Sequence, residues 1–319
     1  MHDTPSVLLR IRKSAAGGLA SGARTALYLI RIMVPVSLAV ALLKWSGVLS
    51  WGASFLAPAM GLLGLPGEAA VVLLSSALLN VYSAIAVIET LPLSTREITI
   101  LAIMCLTAHN LIIETAVMRK SGSSAFKMVV LRIGWALALG YLFNLVLPAG
   151  RSAAIAAADS AVPAAAFWPS MAGWGLSTLR LIAKIVVLVV AIMIGQRLME
   201  EFRVMDFLSR VTSPAMRVFG LSENASFLWI VINVVGYAYG AAIIMERVKD
   251  GKMKPQEADL FNHHAGLCHS LLEDTTMFLA IGVSLFWITV PRLAAALAVV
   301  WFERARRHRF RRSFKVGTV

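Results

Sequence analysis

Cysteine is nearly absent: the 319-residue chain has two, Cys105 and Cys268, both inside apolar stretches. That usage argues against a structural disulfide and says nothing about redox compartment. Charged residues make up only 15% of the chain, against about 25% in an average soluble domain, which excludes a soluble globular protein. Acids are the scarcer sign, 17 against 30 lysines and arginines, leaving a formal charge of +13. Also missing are a Gly-rich phosphate loop, a nucleophile elbow and an HExxH metalloprotease signature, so the chain reads as a non-enzyme.

What is present is apolar. Hydrophobic residues make up 59% and the mean hydropathy is +0.77. Runs of bilayer length recur near residues 27–45, 68–89, 125–147, 177–197, 223–245 and 283–302, each able to cross roughly 30 Å of hydrocarbon. Segments 96–118 and 257–282 are long enough too, but carry polar groups. The first apolar run is too long for a signal-peptide core, so an uncleaved membrane protein is expected. Basic residues gather at the ends: Arg10, Arg12, Lys13 and Arg24 ahead of the first span, and Arg304, Arg306, Arg307, Arg309, Arg311, Arg312 and Lys315 in the tail. Such ends anchor beside anionic lipid on the cytoplasmic face of an inner membrane. The expected partners are the bilayer and a small polar solute, with no nucleic acid; a homodimer is left open.

The chain repeats itself. "APAMGLLGLPGEAA" (57–70) aligns with "SPAMRVFGLSENAS" (213–226), pairing Pro58 with Pro214 and Gly64 with Gly220. About 50 residues on, "HNLIIETAVMRKSG" (109–122) aligns without a gap with "HSLLEDTTMFLAIG" (269–282), pairing His109 with His269, Glu114 with Asp274 and Thr115 with Thr275. The expected fold is an all-α polytopic bundle of two inverted repeats, each of about three transmembrane helices plus a re-entrant or broken His/acid helix. Its parts are a basic N-terminus (1–24), a first repeat (25–150), an external linker (151–175), a second repeat (176–303) and a basic tail (304–319). Re-entrant His/acid segments keep Arg119, Lys120, Arg203, Arg210 and Arg217 inside with both termini, and place only the loop 246–259 awkwardly outside.

On an unbroken helix His109 and Glu114, five residues apart, point about 140° away from each other, as do His269 and Asp274. A break near Asn110 and Ser270 would turn both toward one midplane site, tolerable only where protein or a water-filled cavity satisfies the freed backbone. Acids at membrane depth cost about 2.5–3.5 kcal/mol on insertion scales and so mark function. The candidate substrate site is His109, Asn110, Glu114, Thr115, His269, Ser270, Glu273, Asp274 and Thr275, with Asn80, Asn233 and Tyr237 from preceding spans. No resident cofactor is expected, although His and carboxylate can carry a coupling proton, and sodium is the other coupling ion considered. A competing set adds Cys105, His263, His264 and Cys268 as ligands of a divalent metal such as zinc or iron.

The two His/acid motifs, each with its upstream Pro-Ala-Met segment, resemble those of the nucleoside-recognition, or Gate-domain, membrane proteins. That group includes spore maturation proteins A and B and a pore segment of ferrous iron transport protein B; concentrative nucleoside transporters are distantly similar. The resemblance covers residues 45–300 and implies an inner-membrane protein with inverted repeats and paired hairpins. Three functions are in view: a permease for a small polar, nucleoside-like solute working by alternating access, a divalent metal permease, and a non-transporting scaffold.

Overall fold

The computed structural model describes residues 6–148 and 166–316, with side chains in the last helix as far as Arg309. Among these residues the chain is helical throughout, without a strand. Five stretches are long and apolar enough to cross a membrane: Val7–Trp45, Thr95–Lys120, Ala125–Val146, Phe167–Glu201 and Leu285–Arg309. Polarity is inverted relative to a soluble protein: Val130, Leu137 and Leu145 are exposed while Arg132 on the same helix is fully buried. The chain is a polytopic membrane protein.

The first half runs α1 (Val7–Trp45), α2 (Val48–Leu62), α3 (Ala70–Leu78), α4 (Val81–Ile88), α5 (Thr95–Ala108), α6 (Leu111–Lys120) and α7 (Ala125–Val146). The second runs α8 (Phe167–Glu201), α9 (Val204–Val218), α10 (Ser226–Val234), α11 (Tyr237–Lys249), α12 (Pro255–Ala265), α13 (Glu273–Leu279) and α14 (Leu285–Val316). Each half has a 3₁₀ turn ahead of its third helix, so the halves correspond element by element. The glycines of the repeated motif show why the sequences match. Gly64 and Gly220 sit at φ 66° and 71°, where a side chain would be strained. Leu65 and Leu221 each donate back to the carbonyl of Met60 or Met216, at 3.1 and 2.8 Å. This is a Schellman C-cap, and it ends α2 and α9 identically.

Helices α1 and α8 run antiparallel along their whole length. Arg10 Nε pairs with Glu201 Oε1 at 2.7 Å at one end, Trp174 Nε1 donates to Ser37 Oγ at 3.3 Å, and the Trp45 and Phe167 rings meet at 4.9 Å at the other end. Between them Gly18, Gly22 and Ala26 make a small-residue stripe at i,i+4 spacing, which lets membrane helices approach closely. A Cβ on Gly22 would lie 2.7 Å from Val190 Cα, and one on Gly18 2.6 Å from Ile194 Cα. Gly22→Leu is therefore expected to destabilise by about 1–3 kcal/mol or more through overpacking, read as a lowered Tm in detergent. Gly17→Leu, at a position where a Cβ meets nothing within 4 Å among the described residues, is the control and should leave Tm in place.

Helices α7 and α14 also meet at both ends, in opposite order. Lys127 Nζ lies 3.0 Å from Glu303 Oε1, and the Phe143 and Trp287 rings touch edge to face at 5.5 Å.

Several sequence expectations change. Segments 68–89 and 223–245 are not continuous spans: each is split into two short helices that pack against each other, α3 with α4 and α10 with α11. Asn80 causes the first split by accepting the Ser83 N–H at 2.9 Å as the cap of α4; Gly236, at φ 119°, causes the second. Segment 95–120, by contrast, is long and apolar enough to cross despite its break. The loop 246–259 does not lie opposite residues 119–127, because Ser123 Oγ donates to Asp259 Oδ1 at 2.6 Å and Arg307 bonds both Asp259 and the Gln256 carbonyl. Helix α8 begins at Phe167, inside the stretch read as linker, whose residues 151–165 lie outside the described residues. The basic ends are helical too, in α1 from Val7 and in α14 through Val316.

Candidate functional site

The site is built on two helix breaks. His109 is extended, with φ −82° and ψ 162°, and Asn110 is left-handed at φ 47°, a region that Asn tolerates better than most residues. In the second half Ser270 takes the equivalent position at φ 51°. Each break frees backbone groups in the protein interior, and protein satisfies them. The Asn110 N–H donates to Ser76 O on α3 at 2.8 Å, and the Ser270 N–H donates to Ile232 O on α10 at 3.0 Å. Arg132 Nε and Nη2 donate to Thr107 O and His109 O at 3.1 and 2.7 Å; Arg292 Nε and Nη2 donate to Leu267 O and His269 O at 3.2 and 2.7 Å. Both arginines are fully buried.

The break does what the helix geometry requires: His109 Nε2 comes within 3.2 Å of Glu114 Oε1. It is also 3.2 Å from Asp274 Oδ2 in the other half. His269 Nε2 lies 3.2 Å from Glu114 Oε1, the two imidazoles are 5.0 Å apart, and Arg132 Nη1 pairs with Glu114 Oε2 at 2.8 Å. All five residues are buried. His109 Nδ1 faces the Cys105 carbonyl at 3.1 Å and His269 Nδ1 the Ala265 carbonyl at 2.6 Å. A carbonyl only accepts, so Nδ1 carries the hydrogen in each ring. Each Nε2 then needs one further proton to face a carboxylate, held on the ring or on an acid, and the one at His109 serves both Glu114 and Asp274. The arrangement can store and pass protons between the two halves.

The remaining candidates surround this core. Glu273 accepts from Tyr82 Oη at 2.5 Å, tying α13 to α4. Tyr237 packs its ring 5.6 Å from that of His269 and donates to Asn262 Oδ1 at 2.9 Å. Asn233 holds the second break open, accepting the Leu271 N–H at 3.4 Å through its side chain and the Leu272 N–H at 3.0 Å through its carbonyl. Asn80 is a helix cap. Thr115 and Thr275 are buried with hydroxyls that have no partner among the described residues, as is the Asn110 side-chain oxygen.

The residues of the metal alternative are not brought together. His264 Nε2 accepts from Trp229 Nε1 at 2.9 Å, His263 lies with Asp259 and Glu303 near the Ser123 end, and Cys105 and Cys268 are buried without joining a ligand group among the described residues. His109, His269 and Asp274 do offer three ligand atoms within 4.8 Å of one another, a set that suits a divalent transition metal.

Sequence reasoning missed Arg132 and Arg292. Their signal was available: each is an arginine in the middle of an apolar span, 23 residues after its His, at the same 160-residue offset that relates His109 to His269. Asn262 was also missed; its Nδ2 donates to Ser121 Oγ at 2.8 Å and Ser123 Oγ at 2.9 Å, joining α12 to the α6–α7 turn.

The Gate family model, described as nucleoside recognition, matches residues 26–125, a stretch that includes His109, Asn110, Glu114 and Thr115 but not Arg132. The "Uncharacterized membrane protein YvoD" of Bacillus subtilis (strain 168) is 32% identical over 291 residues, 90% of this chain and 93% of that protein. No solved structure matches. With similarity running through both halves and the Gate signature in the first, the chain belongs to the Gate (nucleoside recognition) family of membrane proteins.

Proposed function

We propose that this protein is a permease that moves a small polar solute by alternating access between two inverted repeats. The observation that carries the reading is the meeting of His109 and Glu114 from one half with His269 and Asp274 from the other, at breaks in two membrane helices. Buried ionisable groups at such breaks mark solute and ion pathways, and the Gate description points to the same role. Nε2 atoms that each share a proton with a carboxylate support the proton, rather than sodium, as the coupling ion in this reading.

In this reading each half crosses three times, through α1, α5–α6 and α7, then α8, α12–α13 and α14, while hairpins α3–α4 and α10–α11 re-enter. Arg119, Lys120, Arg203, Arg210, Arg217, the loop 246–259 and both termini then share the cytoplasmic face of the inner membrane, as positive charge favours. Single cysteines at Ser123 and Lys252 should label from the same face; labelling from opposite faces would overturn this topology.

Purified protein in proteoliposomes should take up solute when an inward proton gradient is applied, and His269→Ala and Asp274→Asn should each abolish uptake while eluting as folded protein. Full complementation of a deletion strain by both variants would instead favour a scaffold role. The ligand set His109, His269 and Asp274 supports a second reading, divalent metal permeation. Stoichiometric zinc or iron in the purified protein, lost in Asp274→Asn, would select it.

A further inference from the structure

The two arginines that stitch the helix breaks differ in one respect. Arg132 places Nη1 on Glu114 Oε2 at 2.8 Å. Arg292 holds the equivalent carbonyls with equivalent atoms, yet its Nη1 has no hydrogen-bond acceptor among the described residues, and the side chain is 0% exposed. The cause is a methylene. The residue equivalent to Glu114 is Asp274, shorter by one carbon and engaged through Oδ2 with His109 of the other half. With Nε and Nη2 fixed on backbone, the guanidinium cannot swing away, so Nη1 is a rigid cationic donor. Asp274 and Glu114 are near enough to act on its charge, so what Arg292 lacks is a direct acceptor at Nη1; a buried donor left unsatisfied is costly, and an anionic acceptor there would form the stronger, charge-assisted bond.

We propose that Arg292 receives an oxyanion of the transported solute, so that the substrate class is a small organic acid or phosphate ester rather than a neutral nucleoside. The solute's oxyanion does for Arg292 what Glu114 Oε2 does for Arg132, a charge-assisted contact at Nη1 of a guanidinium already oriented by its two backbone bonds. This rests on the transport reading above and narrows it.

Purified full-length protein is assayed by thermal shift and calorimetry against benzoate, inorganic phosphate and uridine, with sodium chloride holding ionic strength constant. Stabilisation by benzoate or phosphate, and none by uridine, is expected. Benzoate alone identifies a carboxylate ligand and phosphate alone a phosphoryl ligand. Because Arg292 variants also lose two backbone contacts, the decisive variant is Asp274→Glu, whose longer side chain can reach Arg292 Nη1. It should remain folded and lose oxyanion affinity at least tenfold. Stabilisation by uridine alone, no stabilisation by either anion, or wild-type oxyanion affinity in Asp274→Glu would overturn the assignment. Oxyanion binding without uptake in proteoliposomes would remove the transport reading and leave the site standing; uptake of a neutral solute alone would do the reverse.

Discussion

Arg132→Leu is expected to cost about 3–5 kcal/mol, the usual penalty for stranding one partner of a buried ion pair, and to leave little folded protein after detergent extraction. Glu114 would remain buried with its charge balanced only through histidine, and Thr107 O and His109 O would lose the donors that the helix break requires. Each unsatisfied carbonyl adds about 1–3 kcal/mol. Fluorescence-detected size exclusion and thermal unfolding measure the loss. Adding Glu114→Leu to the same chain should recover the larger part of it, because replacing both charges by apolar side chains is far milder than removing one. Arg292→Leu should cost less than Arg132→Leu, since it strands two carbonyls but no paired carboxylate. Equal Tm values for the two single variants would show that the Glu114 ion pair contributes nothing to folding.

His109→Leu should reduce uptake by two orders of magnitude or more. Its Nε2 faces Glu114 of its own half and Asp274 of the other, both at 3.2 Å, so the imidazole joins the two acids. Hydrogen bonds to charged groups contribute about 1.5–3 kcal/mol each, and every 1.4 kcal/mol is a factor of ten. The finer test is His109→Gln, which keeps a donor to the carboxylates but cannot gain or lose a proton. It should fold, bind solute and equilibrate it, yet no longer respond to an inward proton gradient. Gradient-driven accumulation equal to wild type would show that the proton travels elsewhere.

Much of this arrangement is legible in the amino-acid sequence because each legible feature is local. The Pro-Ala-Met motif ends in a glycine that must adopt positive φ, and the five-residue spacing of His109 and Glu114 forces a break if both face one site. Hydropathy could not show which segments fold back. It averages over a window, whereas Asn80 and Gly236 act at single residues to turn 70–88 and 226–249 into helix pairs. Arg132 and Arg292 were obscured by the basic termini, which supply an ordinary reason for an excess of arginine. The i,i+4 spacing of His264 and Cys268 does not share a helix face, because α12 ends at Ala265, and Trp229 takes the imidazole, a contact between residues 35 positions apart that spacing alone cannot foresee.

The contacts between α7 and α14 give two like halves unlike ends. Positions 127 and 287 are repeat-related, as are 143 and 303, yet one pairing is Lys127 with Glu303 and the other is Trp287 with Phe143. Arg306 and Arg307 reinforce the first through Glu303. Water and salt weaken a partly exposed ion pair by screening, whereas contact with water favours keeping two aromatic rings together. Salt therefore loosens the ion-paired end and leaves the ring pair, whose Phe143 is buried, in place. Repetition alone would fasten both ends of the seam alike; this difference makes the two ends of the α7–α14 pair distinguishable.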